Sequence, residues 1–178
     1  MWVALFSQTG SEIVNLSERL YTCPNLVLTN NRQGETWHPG IIEMPTDRIV
    51  ATHAQIVEHL MNMEPCLVTL HGYLRILPPE VCERHTVVNG HPGDIVNYPE
   101  LKGKDPQKKA LELGLPSTGV VIHKAVAEVD AGEILKHGTY DIPADITEEQ
   151  LILNLKELQL RLWVDYFWQV LPEALDER

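Results

Sequence analysis

Short apolar runs, separated by stretches with helical periodicity, constrain the fold of this chain more than any other feature. Between the runs, apolar residues recur at helical spacing, as they do over His53–Met63. Strands that are apolar throughout are typical of a parallel sheet with helices on both faces. We therefore predict an α/β fold whose first half is a doubly wound, mostly parallel, Rossmann-like sheet flanked by helices. The four runs are Val3–Phe6, Leu26–Thr29, Cys66–Leu70 and Thr86–Asn89.

The second half of the chain has a different pattern. Gly119–His123 and Glu133–Tyr140 predict two further strands, and an antiparallel element fits this region. Thr147 and Gln150 have the spacing of a capping box, which predicts the start of a long last helix. The polar segment Asn30–Arg48, with its glycines and prolines, predicts mostly loop.

Charge and composition argue against several classes of function. The net charge of −11 disfavours a broad nucleic-acid surface, which needs a basic face. The three cysteines are an odd number with no CxxC pair, which is typical of reduced thiols in a cytoplasmic protein. We expect no signal peptide and no membrane span, because no apolar run reaches about 18 residues. The length of 178 residues predicts a single domain over residues 1–178, with no additional C-terminal domain.

Ligands of such sheets bind beyond the carboxyl ends of the strands, so three loops are candidates for a site. The first, Ser7–Ser11, precedes a helix whose backbone N–H groups could hold a phosphate, although a plain turn capped by Ser11 fits as well. Glu12 would oppose a phosphate there. The second loop begins at His71 and contains Arg75, which could bind an anionic or stacking ligand or lie on the surface.

The third loop begins at Asn89, and it offers the residue types that an acyl transfer needs. Asn89 and His91 are two residues apart, so in an extended segment their side chains point to the same side. An amide N–H and an imidazole could together stabilise a developing oxyanion, whereas a buried structural histidine is the alternative interpretation. Asp130 lies in a turn, and His123 ends the strand before it.

Together these residues resemble the folate-dependent formyltransferases, and most closely the glycinamide ribonucleotide formyltransferases. The resemblance spans nearly the whole chain, from the Ser7–Ser11 loop and the segment Gly72–Leu77 onward. Its most specific parts follow one another in the family's order, as Asn89-x-His91-Pro92, Gly119-x-x-x-His123 and Asp130-Ala131-Gly132.

The resemblance implies an enzyme that transfers a formyl group from 10-formyltetrahydrofolate to an amine, without a metal. Asn89 and a protonated His91 would stabilise the oxyanion. Asp130 would raise the pKa of His91 or relay a proton through water, and His123 would line the formyl pocket. Folate would be held by Arg75, Ile76, Leu77 and His123. The acceptor would be held by Gly10, Ser11, Glu12 and Glu157.

The sequence departs from the family pattern at the acceptor end. Glu12 stands where an asparagine is usual, and Gly90 replaces a bulkier aliphatic residue. An insertion at Glu100–Gln107 carries Lys102 and Lys104, which either replace lost phosphate contacts or belong to a solvated loop.

Glycinamide ribonucleotide, an intermediate of purine synthesis, is therefore the expected acceptor. An aminosugar nucleotide, a modified nucleotide and methionyl-tRNA are alternatives. Two other classes stay open: a non-catalytic module that binds folate or a nucleotide, and a zinc site. The apolar last helix could pack on the sheet or on a second copy, as a homodimer. The zinc ligands would come from His71, His85, His91 and Asp130.

Overall fold

A computed structural model of the chain describes the backbone of residues 1–176 and the side chains of residues 1–171. The chain divides into two compact units. The first contains residues 1–89 and 124–128, and the second contains residues 90–123 and those from 129 onward. The expectation of one domain over residues 1–178 stays a prediction.

The first unit is built on parallel strands. They are β1 (Trp2–Phe6), β2 (Leu26–Thr29), β3 (Asp47–Val50), β4 (Leu67–Leu70) and β5 (Thr86–His91), of which β5 continues into the second unit. Their order is β3-β2-β1-β4-β5, so β1 lies between β2 and β4. Leu5 of β1 is in register with Leu28 and Leu70 on either side, and all three are buried.

Helices connect these strands and cover the sheet. Residues Thr52 and Gln55 form a capping box at the start of α3 (His53–Asn62), which buries Ile56 and Leu60 against the core. The segment Asn30–Arg48, predicted as mostly loop, contains one short helix and the first two residues of a strand, and most of it lies outside α-helix and strand. The helices are α1 (Ser11–Leu20), α2 (Pro39–Glu43), α3 (His53–Asn62) and α4 (Pro79–Arg84), with a 3-10 turn at Gly34–Thr36.

The second unit pairs its strands antiparallel and packs them against a long helix. The register of the strand pair shifts between Ile122 and His123. Gly119 lies against the backbone of Gly138, because an added Cβ would be 2.1 Å from that carbonyl oxygen. The elements are a 3-10 turn (Pro99–Leu101), α5 (Pro106–Glu112), β6 (Ser117–Lys124), β7 (Ile134–Asp141) and α6 (Glu148–Asp176).

The capping box at the start of α6 is confirmed. The Thr147 N–H donates to the Gln150 side chain at 3.0 Å, and the Gln150 N–H donates to the Thr147 hydroxyl at 3.2 Å. Parallel strands with one antiparallel pair confirm the predicted mostly parallel α/β fold. None of the helices over residues 1–176 combines the length and hydropathy needed to span a bilayer.

Candidate active site

Two of the three predicted loops contact each other at the carboxyl edge of the first unit. The Ser7 N–H donates to the Gly72 carbonyl at 3.1 Å, and the Leu74 N–H donates to the Ser7 hydroxyl at 2.9 Å. Asn89 reaches the same edge, because it is in register with Leu70 at the end of β4. The sheet therefore places these three parts of the predicted site side by side.

The loop after β4 is anchored by one aromatic side chain. Tyr73 is buried, its hydroxyl lies 2.8 Å from His53 Nδ1, and burial raises the pKa of Tyr73 to about 12. Arg75 and Ile76, two predicted folate-binding residues, are exposed, and Ile76 exposes 63% of its surface. Leu77, the third, packs in the hydrophobic core, so its side chain is not presented to a ligand.

The loop after β1 carries three residues predicted to bind the acceptor. Gly10 precedes α1 with a φ of 72°, a left-handed conformation that favours glycine. A Cβ there would also lie 2.7 Å from Ile41. Ser11 is half-buried, and the Glu12 carboxylate lies 2.7 Å from Nδ1 of His71.

The second unit brings together three of the predicted residues that lie far apart in the sequence. Asp130 Oδ2 is 3.3 Å from His91 Nδ1, and Asp130 Oδ1 is 3.4 Å from His123 Nε2. All three residues are buried. Asp130 has a φ of 53°, which asparagine and aspartate adopt more readily than other non-glycine residues. A carboxylate held between two imidazoles is an arrangement that can take up and stabilise a proton.

Two backbone groups that the sequence did not reveal complete this cluster. Nε2 of His91 donates to the Leu101 carbonyl at 2.8 Å, and the Gly103 N–H donates to Asp130 Oδ2 at 2.9 Å. Both groups belong to the predicted insertion at Glu100–Gln107, whose lysines the sequence assigns either to phosphate contacts or to a solvated loop. The side chains of Lys102 and Lys104 are exposed. A backbone carbonyl leaves no signature in the residue types, whereas the φ of 84° at Gly103 marks a position that favours glycine.

Burial determines the direction of the His91 pKa shift. Burial lowers the pKa of His91, while Asp130 and the Leu101 carbonyl act in the opposite direction without outweighing it. The resemblance implied that Asp130 would either raise the pKa of a protonated His91 or relay a proton through water. Asp130 does act to raise this pKa, but burial makes the net direction downward. Burial also works to raise the pKa of Asp130, but hydrogen bonds from His123 and Gly103 and the nearby His91 lower it below its ordinary value.

A second buried carboxylate holds the turn that follows His91. Asp94 accepts from His137 Nε2 at 2.9 Å and from the Asn97 side chain at 2.8 Å. Burial works to raise the pKa of Asp94, but these hydrogen bonds lower it. The preceding Gly93 lies against the His91 ring, since an added Cβ would be 2.9 Å from Nε2. This polar cluster fixes the backbone next to His91.

The remaining predicted features lie elsewhere in the two units. Glu157 is exposed on α6. The same helix explains why position 90 is a glycine, because a Cβ there would lie 2.8 Å from the Gln159 side chain and 3.1 Å from Trp163. His85 bonds to the Leu60 carbonyl and the Cys66 N–H, away from the other ligands suggested for zinc. Within the described part of the chain, no cluster of three His, Cys, Asp or Glu side chains could hold a metal ion.

Comparisons with known proteins identify the family of this chain. A family model described as formyl transferase matches residues 22–166. A methionyl-tRNA formyltransferase of Thermotoga neapolitana is 31% identical over 114 residues, which cover 63% of this chain and 36% of that protein. A phosphoribosylglycinamide formyltransferase of Haemophilus influenzae is 31% identical over 97 residues, which cover 53% of this chain and 44% of that protein. The chain thus spans about a third of the length of the methionyl-tRNA formyltransferases it matches.

Solved structures are similar over nearly all of the chain. A phosphoribosylglycinamide formyltransferase from Streptococcus pneumoniae has a TM-score of 0.81 at 22% identity, covering 96% of this chain and 98% of that chain. A formyltetrahydrofolate deformylase from Pseudomonas syringae has a TM-score of 0.72 at 18% identity, covering 93% and 59%. At these identities the likeness shows a shared fold.

Proposed function

Because this chain belongs to the formyl transferase family, we propose that it transfers a formyl group from 10-formyltetrahydrofolate to the amine of a small acceptor. The observation that carries the proposal is the buried cluster in which Asp130 lies between His91 and His123. The cluster joins a carboxylate and two imidazoles from separate segments of the chain, at distances of 3.3 and 3.4 Å. A carboxylate with a neighbouring histidine is suited to moving a proton during acyl transfer.

The folate donor is a substrate whose pterin ring would lie on the loop after β4. Leu74 and Ile76 expose 68% and 63% of their surface there, with the exposed Arg75 between them. Apolar side chains with one polar group are the usual lining of a site for a flat heterocycle. These residues fit the donor, with Leu77 contributing through its backbone.

The donor supplies a formyl group held as an amide, whose oxygen gains negative charge when an amine adds to the carbon. Asn89 and His91 are alternate residues of β5, and both can donate an N–H to that oxygen. For this, His91 Nε2 would exchange the Leu101 carbonyl for the substrate oxygen. The attacking amine must lose a proton, and His91, whose pKa is lowered by burial, is suited to accept it at Nδ1, which faces Asp130. Asp130 then stabilises the imidazolium that forms. The imidazolium returns the proton to the donor nitrogen as the bond between that nitrogen and the formyl carbon breaks, which releases tetrahydrofolate.

The relatives differ in the acceptor of the formyl group that their names give. Glycinamide ribonucleotide, which the sequence led us to expect and which would place the enzyme in purine synthesis, is the reference compound. The H. influenzae relative carries the name of that reaction, and the T. neapolitana relative the name of methionyl-tRNA formylation. The net charge of −11 disfavours a tRNA acceptor. A small amine is the class of acceptor that we propose, with the reference compound as the first candidate and an aminosugar nucleotide or a modified nucleotide as alternatives.

We also propose that the reaction takes place in the cytoplasm. Cys23, Cys66 and Cys82 form no disulfide among the described residues, as a reducing cytoplasm would require. The homodimer expected from the last helix stays a prediction, and Trp168 on that helix exposes 59% of its surface.

An assay with 10-formyltetrahydrofolate and a panel of amines tests the proposal. We expect amine-dependent release of tetrahydrofolate together with a formylated product, detected by absorbance and by mass spectrometry. His91→Ala should remove most turnover, while His59→Ala on α3 should leave it unchanged. Turnover that is equal in wild type and His91→Ala would contradict the assignment, and so would the absence of formyl transfer to every amine.

A further inference from the structure

A chain of hydrogen-bonded side chains runs through the first unit and is not used by the chemistry proposed above. The Trp2 indole Nε1 is 2.7 Å from the Thr69 hydroxyl oxygen, which is 2.8 Å from His71 Nε2. His71 Nδ1 is in turn 2.7 Å from the Glu12 carboxylate. The side chain of His71 is fully buried, whereas that of Glu12 exposes 20% of its surface. The buried chain therefore ends on a carboxylate that a ligand can reach.

The direction of these hydrogen bonds determines which ring nitrogen of His71 carries the proton. An indole N–H can only donate, so the Thr69 oxygen accepts from Trp2. The hydroxyl proton of Thr69, a fully buried residue, needs an acceptor, and His71 Nε2 is the one found among the described residues. Nε2 is then unprotonated, and Nδ1 carries the proton that it donates to Glu12. The hydrogen bond from His71 therefore holds the Glu12 carboxylate in place at the start of α1.

The backbone around Glu12 offers little to an anion. The start of a helix binds phosphate through N–H groups that have no partner within the helix. Here the Ser11 N–H donates to the Thr9 hydroxyl at 3.3 Å, and the Ile13 N–H donates to the Gly10 carbonyl at 3.1 Å. Two amides are thus engaged, and a carboxylate occupies the first turn of α1.

The position of this carboxylate connects it to the acceptor. Leu70 is in register with both Leu5 and Asn89, and His71 follows Leu70 directly. The His71 N–H donates to the Leu5 carbonyl at 2.9 Å. Glu12, held by His71, therefore lies at the same edge of the first unit as Asn89, which we propose contacts the reacting formyl group.

We propose that Glu12, held in position by the Trp2–Thr69–His71 chain, selects the acceptor by charge. It disfavours an amine that carries a phosphate at this end and favours one that carries a hydroxyl or a positively charged group there. This inference rests on the proposed function, because it names the class of acceptor for that reaction. Glycinamide ribonucleotide would then be a poorer acceptor than the same molecule without its phosphate.

Paired acceptors and paired variants test the inference. The two ligands are glycinamide ribonucleotide and its dephosphorylated nucleoside, compared at one ionic strength by equilibrium binding and by kcat/KM. Wild type should bind the nucleoside at least about tenfold more tightly, since a tenfold change in affinity is a modest electrostatic effect. Glu12→Gln keeps the shape, removes the charge and should abolish or invert the preference. Glu18→Gln, an exposed residue of the same helix, should leave it unchanged.

The outcomes separate this inference from the proposed function. If wild type prefers the phosphorylated ligand, binds both equally or binds neither, the charge selection is refuted, even if formyl transfer is observed. An equal ratio in wild type and Glu12→Gln refutes it too. If the binding preference is found but no amine is formylated, the selection is upheld while the proposed function fails.

Discussion

Replacement of Asp130 by asparagine removes the charge at the centre of the His91–Asp130–His123 cluster without straining the backbone. Asparagine tolerates the φ of 53° at this position nearly as well as aspartate, whereas alanine would not. Its amide oxygen can still accept from the Gly103 N–H, which lies 2.9 Å from Asp130. The amide NH₂ group then faces a histidine nitrogen and can only donate.

The expected cost follows from these contacts. One buried hydrogen bond becomes mismatched, which should lower the free energy of unfolding by about 1–3 kcal/mol. Loss of the carboxylate removes the partner that stabilises a protonated His91, so kcat/KM for formyl transfer should fall about 10²–10⁴-fold. The pKa of His91 should also fall below its wild-type value, because Asp130 acts to raise it.

Three measurements check this prediction. Urea denaturation gives the free energy of unfolding, formyl transfer under limiting substrate gives kcat/KM, and NMR titration gives the pKa of His91. Asp165→Asn, an exposed change of the same charge on α6, serves as the control and should behave as wild type. A folded Asp130→Asn protein with kcat/KM within about threefold of wild type would refute the role of the carboxylate.

Other parts of the structure give three further expectations. Gly90→Ala places a Cβ 2.8 Å from Gln159 and should cost about 1–3 kcal/mol of unfolding free energy in urea, partly restored by adding Gln159→Ala. The lowered pKa of Asp94 contributes stability that is complete above its unfolded value of 3.8 and is lost as the pH falls through its folded value. In Asp94→Asn, the free energy of unfolding should therefore fall less steeply than in wild type as the pH is lowered through the acid range. An unchanged slope would contradict this. Arg75→Ala should weaken donor binding more than acceptor binding by calorimetry, and equal donor affinity would refute it.

The parts of the fold that the sequence predicted are those with a strong apolar pattern. The prediction of β2 agrees with the structure, and that of β1 differs by one residue, because each run is apolar and buried. The strand β3 was missed for the opposite reason. Asp47–Val50 is short and mostly exposed, so it has neither an apolar run nor a clear alternation. Its position depends on pairing with β2, which its own residues do not encode strongly.

Some parts of the candidate site could likewise be predicted from the sequence, and others could not. The side chains that carry chemistry could be selected from the sequence, and the structure brings His91, His123 and Asp130 together. The Leu101 carbonyl could not be predicted, since every residue has one and only the folded backbone aims it at His91. The pairing of Glu12 with His71, which are 59 residues apart, also needs the fold. The net pKa of His91 depends on burial, which the sequence pattern does not measure.

The central claim is that Asn89 and His91 act together on the formyl group of 10-formyltetrahydrofolate. Its most direct test is the single-turnover rate of amine formylation by Asn89→Ala, with Asn15→Ala on the exposed face of α1 as the matched control. We predict a rate about 100–1000-fold below wild type for Asn89→Ala, with donor affinity retained, because one donor to the oxyanion is lost. A wild-type rate in the Asn89→Ala protein would contradict the account.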